Sequence, residues 1–535
     1  MATVIQKLPI GLSSFDLLRA QGKVYVDKTD LVARLTAEGS RYFLARPRRF
    51  GKSLLVSTLE SLFRHGTREF GGLAIEKTWM DRTYDVLRLD FSDLLVEENP
   101  AVFQKSLGLF LEDSIREAGF ALPTVPDQSA EPLRLFRQWL SERPVNSLVV
   151  LVDEYDAPLT ACLHDKALFD SVRKQLSSFY AVLKKFDRAL RFLFITGITR
   201  FQRTSIFSAM NNLVDISLDP AYGTLLGYTE EELRRYFGES LGHASEVLGM
   251  DEDELIRRMQ LQYDGYCFDE LASTHVFVPW STLLFLYRPQ RGFRNYWFES
   301  GGKPAVLAQY LKRHSLGNPL RYEAIRSVQT SDFAASSDWD TLTDTVLLTQ
   351  AGYLTIRSST PQVLYLGYPN REVAESMAQL YTSELLRKKN LAEVGAGNIL
   401  DAMKKGETES FVKELNRALL AVDYASYPVR NEASLRALVS VFLSGIGLAP
   451  VSEVHGALGR SDLEVVAGAC RWVMEFKFAR EGDDPEKLLL AGQNQIRERR
   501  YGSTAKEDRI VCSALVFSEK ERRIVRFSAS NGAGR

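Results

Sequence analysis

Two groups of residues in this 535-residue chain combine types and spacings suited to work on phosphates. The first centres on Gly51-Lys52-Ser53, between the apolar run Arg41-Tyr-Phe-Leu-Ala45 and the helix-like Leu54-Leu-Val-Ser-Thr-Leu-Glu60. In a strand–loop–helix turn of this kind, backbone N–H groups wrap phosphates, a lysine reaches the terminal ones and a hydroxyl ligates Mg²⁺. Lys52 supplies the charge, Ser53 the hydroxyl, and Arg49, Phe50, Gly51 and Leu54 the surrounding backbone. Arg46 stands where the G-x-x-x-x-G-K-[ST] pattern opens with glycine. A surface turn carrying the solvated arginines Arg46, Arg48 and Arg49 has the same local sequence.

Farther along, Ser147-Leu-Val-Val-Leu-Val152 ends in Asp153-Glu154. A strand covered on both faces is apolar throughout, and ligands bind at its carboxyl end. Asp153 can hold Mg²⁺ there, often through water, and Glu154 can orient or polarise an attacking water. The next apolar run, Phe192-Leu-Phe-Ile195, ends in Thr196, a candidate γ-phosphate sensor. Arg200 or Arg203 can bring positive charge to the transition state, although a solvated loop arginine fits as well.

The second group lies near the C-terminus: Asp462 on one strand candidate, Glu475-Phe476-Lys477 on the next. Alternation places Glu475 and Lys477 on one face, and a hairpin brings Asp462 beside them. Asp462 and Glu475 can bind Mg²⁺, or Mn²⁺ in its place, while leaving water positions open; the ion then acidifies a water. Lys477 can orient that water or stabilise developing negative charge. An ordinary same-face Glu–Lys pair on an exposed hairpin shares the triplet, so the weight rests on the arrangement. That arrangement is a helix with Glu432, the two strands, then a helix with Gln495.

The elements that must position these residues follow from the hydrophobic period. The first half alternates short apolar runs with amphipathic stretches such as Ser53 to Phe63 and Phe169 to Phe186, which predicts a parallel sheet with helices on both faces. From about Glu230 the pattern turns mainly helical. The polar stretch SVQTSDFAASSDWD then leads into a helix and hairpin of winged-helix-like form, VLLTQAGYLTI and VLYLGYPNREV. Near the end the reading is a helix (Glu432 to Leu443), a strand pair (about Pro450 to Phe478), a helix (Pro485 to Tyr501) and a strand (Arg509 to Phe517). Boundaries fall near 290 and 428, giving segments 1–290, 291–427 and 428–528 and a frayed tail at 529–535.

Composition narrows the classes. At about 150 residues per domain the length implies three or four domains. With 45% hydrophobic and 25% charged residues the chain is neither disordered nor membrane-embedded, and a net charge of −1 excludes a polybasic coat protein. Cys162, Cys267, Cys470 and Cys512 show no CxxC spacing, which fits a reducing cytosol better than a disulfide framework or zinc finger. The opening residues carry no basic region leading into an apolar stretch, and no run is long enough for a membrane span. The expectation is a soluble, cytoplasmic protein with no membrane partner.

The segments PIGLSSFDLLRAQGKVYVDKTDLV, RPRRFGKSLL, LVDEYDAPL, ITGITRF, YDGYCF and YPNREV, in that order, resemble the AAA-ATPase-like family of prokaryotic proteins. Its members commonly carry a C-terminal domain of the PD-(D/E)XK nuclease superfamily. The resemblance runs from Leu8 to about Tyr501. It implies a P-loop NTPase fold with a helical lid, then a helical or winged-helix-like coupling region, then a restriction-endonuclease-like α/β domain. It also implies that RPRRFGKS is a working loop without its first glycine, and that the segment around Tyr25 to Thr29 lies near the nucleotide. Asp462, Glu475 and Lys477 match the nuclease motif one by one; Glu432 matches its helix acid and Gln495 a later helix residue that some members use. The function so implied is an ATP-hydrolysing protein whose Mg²⁺-dependent C-terminal domain cleaves DNA under nucleotide control, by analogy in a defence or conflict system. The alternative is a nucleotide-switched binding or assembly protein whose nuclease-like domain holds nucleic acid or a partner without cutting. A homo-oligomer follows if no arginine of the same chain completes the ATP site.

Overall fold

The computed structural model describes residues 7–96, 100–123, 133–199, 206–207, 210–299, 325–330, 344–456, 459–498 and 509–531. It is a mixed α/β protein that divides after Glu372 into two compact units.

In the first unit five parallel strands form one sheet: β1 (Arg41–Ala45), β2 (Asp85–Asp90), β3 (Leu148–Asp153), β4 (Leu190–Gly197) and β5 (Val214–Asp215), in the order β2-β3-β4-β1-β5. Every residue of β1 and β3 is buried, as covered parallel strands require. Parallel neighbours need crossovers, and amphipathic helices supply them. In the helix Lys166–Lys185, Asp165 caps the N-terminus by accepting from the Ala167 and Leu168 amides, and Leu168, Val172, Leu176, Phe179 and Leu183 bury one stripe. That stripe joins Phe43, Leu87, Val150 and Leu193 in the core on one face of the sheet. On the other face Phe63, from the helix Lys52–His65, packs on Phe192.

Because β4 lies between β3 and β1, the lysine loop after β1 and the acidic pair after β3 emerge on either side of one strand. Backbone bonds from Arg46 N to Gly197 O (3.1 Å) and from Tyr155 N to Thr196 O (3.1 Å) fix both exits to the end of β4. Asp156, 1% exposed, completes the tie by accepting from the amides of Ile198 (3.1 Å) and Thr199 (2.7 Å) and from the Thr199 hydroxyl.

The first unit continues through the helices Glu230–Leu248 and Glu252–Tyr263 into a three-stranded antiparallel sheet, in the order β6-β8-β7. Its strands are β6 (Arg326–Gln329), β7 (Thr355–Ser359) and β8 (Val363–Gly367). With the helix Asp344–Gln350 before it, the β7–β8 hairpin forms the expected winged-helix-like unit. β6 opens a stretch that its polarity marks as a connection, whereas residues 331–343 lie outside the described residues.

The second unit holds a mixed sheet of β9 (Val451–Gly456), β10 (Gly459–Ala467), β11 (Cys470–Ala479), β12 (Arg509–Ser518) and β13 (Arg523–Asn531), in the order β13-β12-β11-β10-β9. Only β11 and β12 run parallel, and the helix Pro485–Glu498 is their crossover. The segment expected to hold a strand pair forms three strands, and the segment expected to fray from 529 is in β13 as far as Asn531. The helices Ile399–Lys405 and Thr408–Leu420 close over the sheet: the Trp472 indole donates to Met403 O (2.9 Å) and packs on Phe411. Among the described residues no helix is long and apolar enough to cross a membrane.

Asp156 is a buried polar tie at the end of β4. Asp156→Ala leaves two buried amides without their acceptor and is expected to destabilise that unit by about 3 kcal/mol. Asp156→Asn, which keeps one acceptor oxygen, is expected to lose less; urea denaturation followed by tryptophan fluorescence measures both.

Candidate functional sites

The loop between β1 and the helix Lys52–His65 is anchored at its start by an unexpected residue. Arg46 turns inward and is 1% exposed. Its guanidinium donates to the carbonyls of Ala45 (3.0 Å), Ser217 and Tyr222 (3.2 Å) and lies 4.3 Å over the Phe268 ring. A glycine would leave this end of the loop pliant; the arginine rivets it. Arg49 (φ 72°) and Gly51 (φ 91°) then take left-handed backbone, which at Gly51 suits the residue that caps the helix. Phe50 contributes backbone alone, since its ring is buried between Tyr266 and Phe268.

Lys52 is buried, and its ammonium donates to Arg46 O (3.0 Å) and Pro47 O (2.9 Å). Burial pulls its pKa down, opposed by the charges of Asp153, Glu154 and Asp156. Asp153 is fully buried, which pushes its carboxyl up, while the neighbouring Ser53 hydroxyl works the other way. Oδ1 accepts the Glu154 amide (3.0 Å), whereas Oδ2 has no hydrogen-bond partner among the described residues. A buried, unpartnered carboxylate oxygen beside a serine hydroxyl is a donor set that fits a hydrated Mg²⁺. Glu154 (φ 48°) stands at the cavity wall with its pKa raised by burial.

Lys52, Ser53 and Glu154 line a cavity of about 560 Å³ with Leu54, Arg48, Arg49, Tyr228, Trp280 and the Pro9–Ser13 segment, a volume within the range for small-ligand sites; Asp153 lies buried behind Ser53 and Glu154 and is not part of its wall. A larger cleft of about 750 Å³ lies between Arg64, Arg88, Asp90 and Asp113, away from the loop amides and the lysine, so volume alone does not identify the site. Thr196 is not brought to the cavity: its buried hydroxyl donates to Leu44 O (2.8 Å). Arg200 and Arg203 lie outside the described residues. Sequence reasoning missed Trp280, over which the Arg49 guanidinium stacks at 4.3 Å, and Trp297, whose indole donates to Arg48 O (3.3 Å). It also missed Asp90, which pairs in register with Asp153. The only local signal was the Pro279-Trp280 start of a helix, because the two tryptophan contacts join residues far apart in the chain and the Asp90 pairing is a matter of strand register.

The second site is assembled from four elements of the second unit, two strands and two helices. Leu463 pairs with Met474 across β10 and β11, and Asp462 Oδ2 accepts the Phe476 amide (2.8 Å). Lys477 Nζ lies 3.0 Å from Glu475 Oε1, 3.1 Å from Gln495 Oε1 and 3.8 Å from Glu432 Oε1. Glu475 is 1% exposed. Glu432 opens the helix Glu432–Gly445, which Asn431 caps by accepting the Ser434 amide (2.9 Å). The helix carrying Gln495 closes on the sheet at Gly492, where a Cβ would stand 3.1 Å from Ala514 and 3.6 Å from Lys477 Cγ. All five sequence-predicted residues of this group therefore meet. Among the described residues no three His, Cys, Asp or Glu side chains close into a metal cage, so Asp462 and Glu475 would hold an ion with water completing its shell, a donor set that fits Mg²⁺. Arg436, one turn beyond Glu432, also enters the site, 3.4 Å from Asp462 Oδ1, and no motif marks it.

Comparison with known proteins agrees with this geometry. A family model described as "Predicted AAA-ATPase" matches residues 9–207, and one described as "PD-(D/E)XK nuclease superfamily" matches residues 430–527. An "Uncharacterized protein in vnfD 5'region" of Azotobacter chroococcum mcd 1 is 31% identical over 98% of this chain and 98% of its own length. A chain in the structure of Drosophila ORC bound to GC-rich DNA and Cdc6 aligns over 80% of this chain and 66% of its own, at 12% identity and a TM-score of 0.23, a likeness too slight to carry an argument. The end-to-end relative and the two matched domains show that the chain belongs to the AAA-ATPase-like family and carries a C-terminal PD-(D/E)XK nuclease superfamily domain.

Proposed function

We propose that this protein binds and hydrolyses ATP in its first unit and cleaves DNA at the Asp462–Glu475–Lys477 site of its second, with nucleotide state gating cleavage. The observation that carries the reading is Lys477, held between Glu475 and Gln495 with Asp462 on the neighbouring strand. Mg²⁺, held by Ser53 and Asp153 at one site and by Asp462 and Glu475 at the other, would neutralise phosphate charge and, at the second, acidify a water.

The chain's own groups do the rest. Lys52 leaves the Arg46 and Pro47 carbonyls for the terminal phosphates, and the loop amides hold them at the helix N-terminus. Glu154 orients the attacking water and draws on its proton. At the second site Lys477 Nζ orients the nucleophile and meets the charge that develops on the phosphate, while Gln495 and Glu432 fix the lysine's position. DNA is the proposed substrate on the strength of the superfamily match. Four buried cysteines, none of them in a disulfide, suit a reducing cytoplasm. A nuclease kept under nucleotide control suits a defence or conflict system, by analogy.

One observation favours a second reading, a switched binding module that does not cut. Asp462 already has both oxygens engaged, by the Phe476 amide and by Arg436.

The two readings separate on plasmid cleavage in Mg²⁺ or Mn²⁺ with and without ATP. Lys477→Ala is expected to lower cleavage by about 10²–10³-fold while leaving DNA affinity intact; an unchanged rate would falsify the lysine's role, and wild type that binds DNA without cutting it favours the switched module. Glu154→Gln is expected to bind ATP, hydrolyse it about 10²–10⁴-fold more slowly and shift the ATP dependence of cleavage. Because burial raises the Glu154 pKa, the base is lost as pH falls through that raised value. The acid limb of kcat for hydrolysis is therefore expected above the ordinary glutamate range, and an acid limb within that range would remove Glu154 as the base.

A further inference from the structure

Arg436 and Glu453 belong to neither of the motif sets above, yet they meet at Asp462. Arg436 stands four residues after Glu432 on the same helix, so both side chains face the sheet. The helix thus presents an acid and a base to a base and an acid: Glu432 Oε1 is 3.8 Å from Lys477 Nζ, and Arg436 is 3.4 Å from Asp462 Oδ1. Arg436 reaches a second carboxylate more closely, with its other terminal nitrogen 2.8 Å from Glu453 Oε1. Arg436 and Asp462 are 17% and 18% exposed, so solvent screens the pair only in part. Glu453 is held in left-handed backbone (φ 57°), a conformation that costs energy for a residue with a side chain, and its other oxygen takes Arg460 at 3.0 Å.

We propose that Arg436 is the resident counter-cation of Asp462, a positioning residue that gives up Asp462 when a divalent ion binds and is then retained by Glu453. The proposal rests on the reading of Asp462 and Glu475 as ion ligands. The two oxygens of Asp462 are divided between the Phe476 amide, which fixes the carboxylate on the strand, and Arg436, which a cation must displace. The shorter Glu453 contact gives the guanidinium a place to remain paired, so its charge is never left bare in a partly buried site. Ion binding and the Arg436–Asp462 contact therefore oppose each other, and by linkage each weakens the other equally.

The test is calorimetric titration of the full chain with Mn²⁺ in the absence of nucleotide, with Glu475→Gln identifying the binding step that belongs to this site. Arg436→Gln is expected to tighten that step on the order of tenfold. Arg436→Lys, which keeps the charge, is expected to stay near wild type, and Glu453→Gln to weaken the step by leaving the arginine on Asp462. Arg460→Gln removes the same charge from Glu453's other arginine and is expected to move the affinity less than Arg436→Gln. Affinity unchanged or weakened in Arg436→Gln overturns the proposal, as does an equal effect of Arg460→Gln, which would show general charge rather than competition for Asp462. Should Arg436→Gln fail to fold, the direction of the Glu453→Gln shift decides. If wild type shows no step that Glu475→Gln removes, the ion-ligand reading falls, and this proposal with it.

Discussion

An ammonium group taken out of water must be met by oxygen, because an unpaired buried charge costs several kcal/mol. Lys52 is in that position, and much of the first unit is arranged around the demand. Two loop carbonyls accept its hydrogens, and three carboxylates after β3 supply the opposing charge. Those groups can converge only if the exits of β1 and β3 are held against β4, which the Asp156 tie accomplishes. Lys477 repeats the problem in the second unit and solves it with side-chain oxygens from Glu475, Gln495 and Glu432. In each case the residues that satisfy the amine in the resting protein are those a phosphate or an ion would compete with or join.

Arg46 gives the phosphate loop a character that its sequence alone hides. Anchored to Ser217, Tyr222 and Phe268, it ties the start of the loop to the segments after β5 and after the helix Glu252–Tyr263. Trp297 grips the same loop at the Arg48 carbonyl, and Gly352, at the start of the hairpin region, packs against Pro47. The loop is thereby bonded or packed against separate later segments of the same unit.

Much of this was legible from local pattern. The strand–loop–helix around Lys52, the apolar β3 ending in Asp153-Glu154, and the two strands bearing Asp462, Glu475 and Lys477 each declare themselves within ten residues or so. β5 is two residues long and left no periodic trace. Thr196 sat at the right place in the chain, but its hydroxyl is spent on Leu44, a contact between strands that no spacing encodes. Arg46 and Trp280 were opaque because their roles come from partners far along the chain, and Arg436 because its partners sit on neighbouring strands that no helical spacing encodes. Shifts of pattern near 290 and 428 mark changes in secondary structure, whereas packing divides the chain after Glu372.

The helices Ile399–Lys405 and Thr408–Leu420 precede the segment matched as nuclease, yet they are walls of its core. Trp472 and Cys470 bond to backbone carbonyls of the first helix, and Asn416 of the second pairs with Ile524 of β13 through both its amide nitrogen (3.0 Å) and its oxygen (2.7 Å), much as an added strand residue would. A piece beginning at 430 would bare the face that buries Trp472 and leave the outer strand half-paired. A fragment meant to keep this domain's core closed therefore has to begin upstream of Ile399, ahead of the matched segment 430–527, and a gene exchange that moves the domain intact has to respect the same limit.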